Sequence, residues 1–458
     1  MLPCLVVLAG CGLSPSADVS ERHAHAPGAA LPMTLPEMKL FGTPPRETPA
    51  RANADIARDF LDLAFEMESG RAIPRLTRFT EPVTVAVVAG APDSLRHDLD
   101  RLMARLTDEA GISMRHIRPG ETPNIVIETL PRRELQRAVP QAACFVVPRV
   151  SSWAEFLRNR RGGQLDWTTL ARRERTAIFI PADVSPQEVR DCLHEEIAQA
   201  LGPLNDLYRL PDSIFNDDNF HTVLTGFDML ILRAYYAPEI RNGMTRDQVA
   251  QVLPRVLARL NPRGERIAPE PLPRTSRAWI EAMETALGPK VSSQRRLTSA
   301  RRALSIARQE EWLDNRLGFS LFAFGRLALT SDTPEALSAF AAAHALYRSL
   351  YGPGDIHAAH VSMQLAAFAL SSGQAEAAVE LVNDSLPAVS RGQNAALLAT
   401  LLMIKSEALG YLGRADEAQI VRLDSLGWAR YGFGSAKAVR QRVSEITALT
   451  PKRSKTGA

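Results

Sequence analysis

The side chains best placed to do chemistry lie in one run, Cys192-Leu-His-Glu-Glu-Ile-Ala-Gln-Ala-Leu-Gly-Pro-Leu-Asn-Asp206. On a helix of 3.6 residues per turn, Cys192, Glu195, Gln199 and Gly202 follow one another at intervals of three and four, so Glu195 and Gln199 share a face. Glu195, Gln199 and Asn205, with Asp206 beside them, offer only oxygen donors. Such a set suits a hard cation such as Ca²⁺, or no metal at all, and is a poor set of zinc ligands. The chain has no G-x-S-x-G elbow, no phosphate-binding G-x-x-x-x-G-K, no C-x-x-C and no dinucleotide glycine pattern.

These residues need a rigid helix. Ser185-Pro-Gln-Glu188 supplies a start signal, with a capping Ser, a Pro suited to the first turn and a Glu at the third position. The helix predicted over 186–201 has Val189, Leu193, Ile197 and Leu201 as its core stripe. Upstream, Ile56 to Ala64 reads as an amphipathic helix, Val83 to Ala89 as a buried strand and Leu95 to Ala110 as a second helix. Short strands are expected around Ile117, 124–127, 144–147 and 176–180. A mixed sheet would then roof a cleft above the 186–201 helix.

The motif resembles the active-site helix of zincin metalloproteases of the matrixin and metzincin type, H-E-x-x-H-x-x-G-x-x-H. With Gly202 as their glycine, Glu195 stands where the first His belongs, Glu196 is the catalytic Glu, Gln199 replaces the second His and Asn205 the third ligand. A frame on His194-Glu195 would put Ala198 at the second His and misplace the glycine. Ser213-Ile214-Phe215 stands where those proteases turn below the metal. Leu224-Thr-Gly-Phe-Asp228, followed by Leu232 and Tyr235-Tyr236, is similar to the helix that closes their domain. Together these features resemble an uncharacterised family of bacterial putative lipoproteins with a zincin-like domain, over roughly residues 50 to 260. The resemblance implies an α+β zincin-like domain that has lost its zinc ligands. Zinc polarises the scissile carbonyl and brings bound water from a pKa of 15.7 to about 7, so its loss removes the larger part of the reaction.

Leu2 to Ala9 is apolar but too short to span a bilayer, and Leu8-Ala-Gly-Cys11 resembles a bacterial lipobox. That resemblance implies cleavage before Cys11, its lipidation and anchoring in an envelope membrane. Gly12 follows the Cys in place of an inner-membrane retention Asp, which favours the outer membrane and a periplasmic orientation. No Lys or Arg precedes Cys11, unlike the usual signal. Residues 12–52, rich in Pro, Ala and Ser, read as a flexible tether. With Cys4 removed and Cys11 lipidated, Cys144 and Cys192 remain, as one disulfide in an oxidising compartment or as two buried thiols.

Near balance between 54 basic and 51 acidic residues argues against a nucleic-acid partner, and 45% hydrophobic residues suffice for buried cores. After the 53–260 domain, residues 261–275 read as a Pro- and charge-rich linker. Beyond it, 276–450 is Ala- and Leu-rich, and Glu335-Ala336, Glu376-Ala377 and Glu417-Ala418 recur every 41 residues. This all-α region resembles tetratricopeptide repeats of a longer kind, which implies a surface for a protein or peptide partner. The expectation is a membrane-anchored binding or scaffold protein with a pseudo-protease domain, needing no cofactor. The enzymatic alternative is a metal-dependent peptidase or amidase with Glu196 as base and a hard divalent cation on Glu195, Gln199 and Asn205.

Overall fold

The computed structural model describes residues 34–80 and 82–451, so the lipobox, Cys11 and most of the tether lie outside the described residues. The chain forms two units, and residues 45–184 with 188–274 make up most of the first. It is mixed α+β. Helix α1 (Asn53–Phe65) precedes strand β1 (Val83–Val87). Helix α2 (Asp93–Arg105) continues into one wide turn, Leu106–Ala110, which Gly111 closes at φ 72°. A left-handed residue at a helix end is cheapest as glycine.

Strands β2 (Met114–His116), β3 (Ile125–Leu130), β4 (Phe145–Pro148) and β5 (Thr176–Pro181) complete a five-stranded sheet. Its order is β2-β1-β3-β5-β4, and only β4 runs antiparallel, pairing Phe145 with Phe179 and Pro148 with Thr176. The period-two alternation of a strand divides the side chains between two cores. Phe145, Val147, Ala177 and Phe179 face an aromatic cluster with Trp153 and Phe156. Val146, Ile178 and Ile180 face the larger core. That core takes in α1, α2 and helix α5 (Pro186–Leu201), whose Val189, Leu193, Ile197 and Leu201 are all buried. Helices α3 (Arg132–Ala138) and α4 (Trp153–Asn159) are short connections, while α6 (Gly226–Tyr235) and α7 (Arg246–Leu260) close the unit.

The stretch expected to be a linker is pinned rather than slack. Asn53 Nδ2 donates to Asn261 O (3.1 Å) and Glu265 Oε1 (2.6 Å), Glu270 N donates to Asp55 (2.8 Å), and Arg274 reaches Asp62 (2.9 Å) and Glu66 (2.6 Å). Polar α1 side chains thus hold residues 261–274 against the first unit.

The second unit is all-α and repetitive. Its helices are α8 (Arg277–Leu287), α9 (Ser293–Gln309), α10 (Asn315–Ala328), α11 (Thr333–Tyr351), α12 (Ile356–Ser371), α13 (Ala375–Arg391), α14 (Ala395–Tyr411), α15 (Ala415–Phe433) and α16 (Ala436–Thr447). Successive helices pack as pairs because small residues admit a neighbour's ring or backbone. A Cβ on Gly318 would lie 2.5 Å from Tyr347, one on Gly325 2.8 Å from Phe340, and one on Gly432 2.6 Å from the Ala396 backbone. The repeat is less uniform than its sequence suggests. The equivalent buried alanines are Ala336, Ala378 and Ala418, 42 and 40 residues apart, so the even spacing of the Glu-Ala pairs is partly coincidental.

Part of the expected tether is also held. Residues 36–42 run along α15, where Phe41 stacks on Trp428 with ring centroids 4.4 Å apart, Lys39 N donates to Gly427 O (3.1 Å) and Arg430 donates to Pro36 O (2.7 Å). No helix among the described residues is long and apolar enough to cross a membrane.

Candidate functional site

The C-terminal end of α5 is set by tertiary contacts. At its C-terminus the buried Arg173 guanidinium donates to Gln199 O, Ala200 O (2.6 Å) and Gly202 O (2.5 Å), placing a cation where the helix dipole is negative. Gly202 serves close approach here, not a left-handed turn, since a Cβ there would lie 3.0 Å from the Tyr235 ring. The chain then docks on α1, with Leu204 N donating to Leu63 O at 3.1 Å. Asn205 Nδ2 donates to Asp62 O at 3.0 Å. Asn205, the expected third ligand, is therefore committed to α1.

Its neighbour Asp206 turns instead towards the acidic face of α5. Glu195 and Glu196 each bring a carboxylate oxygen within 4.8 Å of the other and of Cys144 Sγ. Cys144 and Cys192 are joined in a disulfide that ties β4 to α5. Glu196 is 0% exposed and Gln199 1%. Neither Gln199 amide atom has a hydrogen-bond partner, Glu196 meets only the Val146 N–H, and the Glu68 and Asp206 carboxyls meet each other. The Glu68 and Asp206 carboxyls face each other closely enough for one shared proton to join them; as two carboxylates they have no donor between them.

The electrostatics follow. Burial, then the charges of Asp206, Asp217 and Asp191, push Glu195 well above the usual carboxylate range. Burial, Glu195 and Asp206 do the same to Glu196, with the Val146 N–H acting weakly the other way. Glu68 is raised by burial and by Asp206, Asp217 and Glu195. Asp206 is pushed up to about 6, chiefly by burial. Glu68 and Asp217 carried no sequence signal. Glu68 lies in the turn after α1, and only the tertiary fold brings it to a helix more than a hundred residues later.

The histidines serve elsewhere. His194 points to the opposite side of α5, where its Nδ1 accepts from Leu224 N (3.1 Å); burial and then Arg190, Arg105 and Arg101 hold it well below its ordinary pKa, hence neutral. His221 Nε2 pairs with Pro211 O at 2.9 Å. The Ser213-Ile214-Phe215 turn is organised by Asp228, which accepts from Ser213 Oγ (2.5 Å) and Ile214 N (3.1 Å) while forming a capping box with Thr225. With no imidazole among the described residues turned into the acidic face and its sulfur locked in a disulfide, the site does not fit zinc.

Residues 53–255 match the family described as "Protein of unknown function (DUF2927)". That match starts at α1, ends within α7 and stops before the helical repeats. No curated protein and no solved structure matches the chain.

Proposed function

We propose that the protein is a non-catalytic binding or scaffold protein. In this reading a zincin-like domain has kept its sheet and helix but lost its zinc chemistry, and the helical repeats engage a protein or peptide partner. The observation that carries the proposal is the ligand face of α5. Its first two positions are Glu195 and Gln199, the third, Asn205, is hydrogen-bonded to α1, and Glu196 is sealed from solvent. A general base must reach both water and substrate, which a fully covered carboxylate with a raised pKa does not. The lipobox-like Leu8-Ala-Gly-Cys11 supports a lipid anchor on Cys11 and a place in the bacterial envelope facing the periplasm.

A peptidase assay on the full chain with unfolded protein substrate, with and without added Zn²⁺, tests the central point. The expected result is no cleavage above background and no difference between the native chain and Glu196→Gln. Zinc-dependent cleavage abolished by that substitution would restore the enzymatic reading. Labelling with a radioactive fatty acid, compared with Cys11→Ala, tests the anchor.

A further inference from the structure

Residues 36–42 lie extended on helix α15, with neither helix nor strand of their own. That surface reads three of their main-chain groups. Lys39 N donates to Gly427 O (3.1 Å), Arg430 donates to Pro36 O (2.7 Å), and Gln393 Nε2, from the turn before α14, donates to Gly42 O (2.8 Å). It reads two side chains as well. The Lys39 ammonium pairs with the Asp424 carboxylate and lies 5.7 Å from the centre of the Trp428 ring, on which Phe41 stacks. Gly427 supplies the room: the atoms nearest to a Cβ there would be Lys39 Cγ (3.0 Å), Glu37 O (3.3 Å) and Lys39 Cδ (3.3 Å), all from this segment. Glycine is a poor residue for the interior of a 19-residue helix, so α15 gives up helix stability where another chain segment lies against it.

We propose that this face of α15 is a docking site for an extended peptide of a partner protein with a Lys two residues before an aromatic, and that residues 36–42 are its resident occupant in cis. The proposal rests on the reading that the helical repeats engage a peptide, and it names that peptide's chemistry. Main-chain bonds accept any extended sequence, whereas Asp424 and Trp428 select the cation and the ring. The surface is also longer than its occupant. Ile420 and Leu423 precede Asp424, Gly427 and Trp428 at helical intervals of three and four, so they share the stripe, and they are 69% and 43% exposed. The partner's peptide therefore adds an apolar side chain for that end. The resident segment is built to leave. Its ion pair is open to water, with the Lys39 and Asp424 side chains 49% and 39% exposed, a setting in which such pairs contribute little. Met38 and Leu40, which alternate with Lys39 and Phe41 along the extended chain, are exposed. A segment held in this way opens locally without unfolding the helices beneath it.

The test is titration of a fluorescein-labelled synthetic peptide of residues 34–44 into the full chain, native and with its site emptied. In the native chain residues 36–42 compete at an effective concentration in roughly the millimolar range, so the peptide should bind weakly. Lys39→Glu with Phe41→Ser strips the occupant of both selected side chains and should tighten peptide binding at least about tenfold, and Phe41→Ser alone should do so by less. Adding Asp424→Arg should undo that gain. A peptide carrying Lys39→Glu should then bind the Asp424→Arg chain better than the native peptide does, which separates lost recognition from lost folding. Equal binding to native and emptied chains overturns the proposal. Binding that survives Asp424→Arg also overturns it but keeps the repeats as a peptide reader, whereas no binding to either chain counts against both. An emptied chain whose Tm falls by more than about 10 °C would show the segment to be part of the fold rather than an occupant, and overturns the proposal. So does a native chain that is dimeric by light scattering and monomeric when emptied, which assigns the face to residues 36–42 of a second copy. Mass spectrometry of the recovered peptide keeps the catalytic question apart: a cleaved peptide defeats the non-catalytic reading while the binding curves still decide this one.

Discussion

Two acidic groups, one on α1 and one that includes Glu68 in the turn beyond it, are built in opposite ways. Asp59 and Asp62 are almost fully covered, yet each meets guanidinium groups. Arg209 bonds Asp59 at 2.7 Å and Asp62 at 2.8 Å, Arg51 pairs with Asp59, and Arg246 (2.5 Å) and Arg274 (2.9 Å) reach Asp62. Burial works to raise the pKa of Asp62, but the Arg246 hydrogen bond and the Arg209 and Arg274 charges outweigh it and hold Asp62 below its usual range. In the turn beyond α1, Glu68 meets the charges of Asp206, Asp217 and Glu195 instead of arginines, and its pKa is pushed the other way. The first group is a structural clamp between α1 and the loop after α5. The second has acids rather than arginines as its charged neighbours, so its carboxyls are raised instead of lowered.

The contrast can be broken most directly at the clamp. Asp59→Ala leaves Arg209 buried without one of its two carboxylates and should cost about 3–5 kcal/mol in denaturant unfolding, because the stranded charge keeps its desolvation penalty. A loss below 1 kcal/mol, roughly that of an exposed pair, would show the clamp to be dispensable. Next in size is the covalent brace of the second group. Replacing both Cys144 and Cys192 by Ser opens a crosslink across 48 residues and should cost about 2–4 kcal/mol.

At the second group the sign should reverse. At neutral pH, Glu196→Gln should raise the unfolding free energy by about 1–3 kcal/mol, since an amide of the same shape is cheaper to bury than a carboxylate. A melting temperature lowered by that substitution would mean that the carboxylate is satisfied in a way the contacts do not reveal.

The smallest effect is in the pH profile. Asp206 and Asp228 both rise to about 6 from 3.8. An acid whose folded pKa is raised contributes stability that is complete below its unfolded pKa and lost as pH climbs through the folded value. The chain should therefore lose stability between about pH 4 and pH 6, at no more than about 1.4 kcal/mol per pH unit for each group. Asp62 has the opposite sign, its contribution being lost as pH falls through the acid range. Asp206→Asn should flatten the decline on the rising side and leave the acid limb unchanged, as pH-dependent melting curves would show.

The order of elements was legible because it rests on local rules. The apolar stripe of α5, the β-branched runs of β1, β3 and β5, and the recurring small residues of α11, α13 and α15 each follow a short period that a single chain displays. The sharing of one α5 face by Glu195 and Gln199 follows from the same helical repeat, as does the turning away of His194. Spacing could not say that Gly202 makes room for Tyr235, that Asn205 is spent on the α1 backbone, or that residues 36–42 and 261–274 are held in place. Nor could it bring Glu68 to Asp206. Periodicity decides which side of its own element a residue occupies, whereas the partner waiting on that side comes from another part of the chain. For a carboxylate shielded from water that partner decides the outcome: arginines make Asp59 part of the scaffold, whereas other acids push Glu195 well above its usual range.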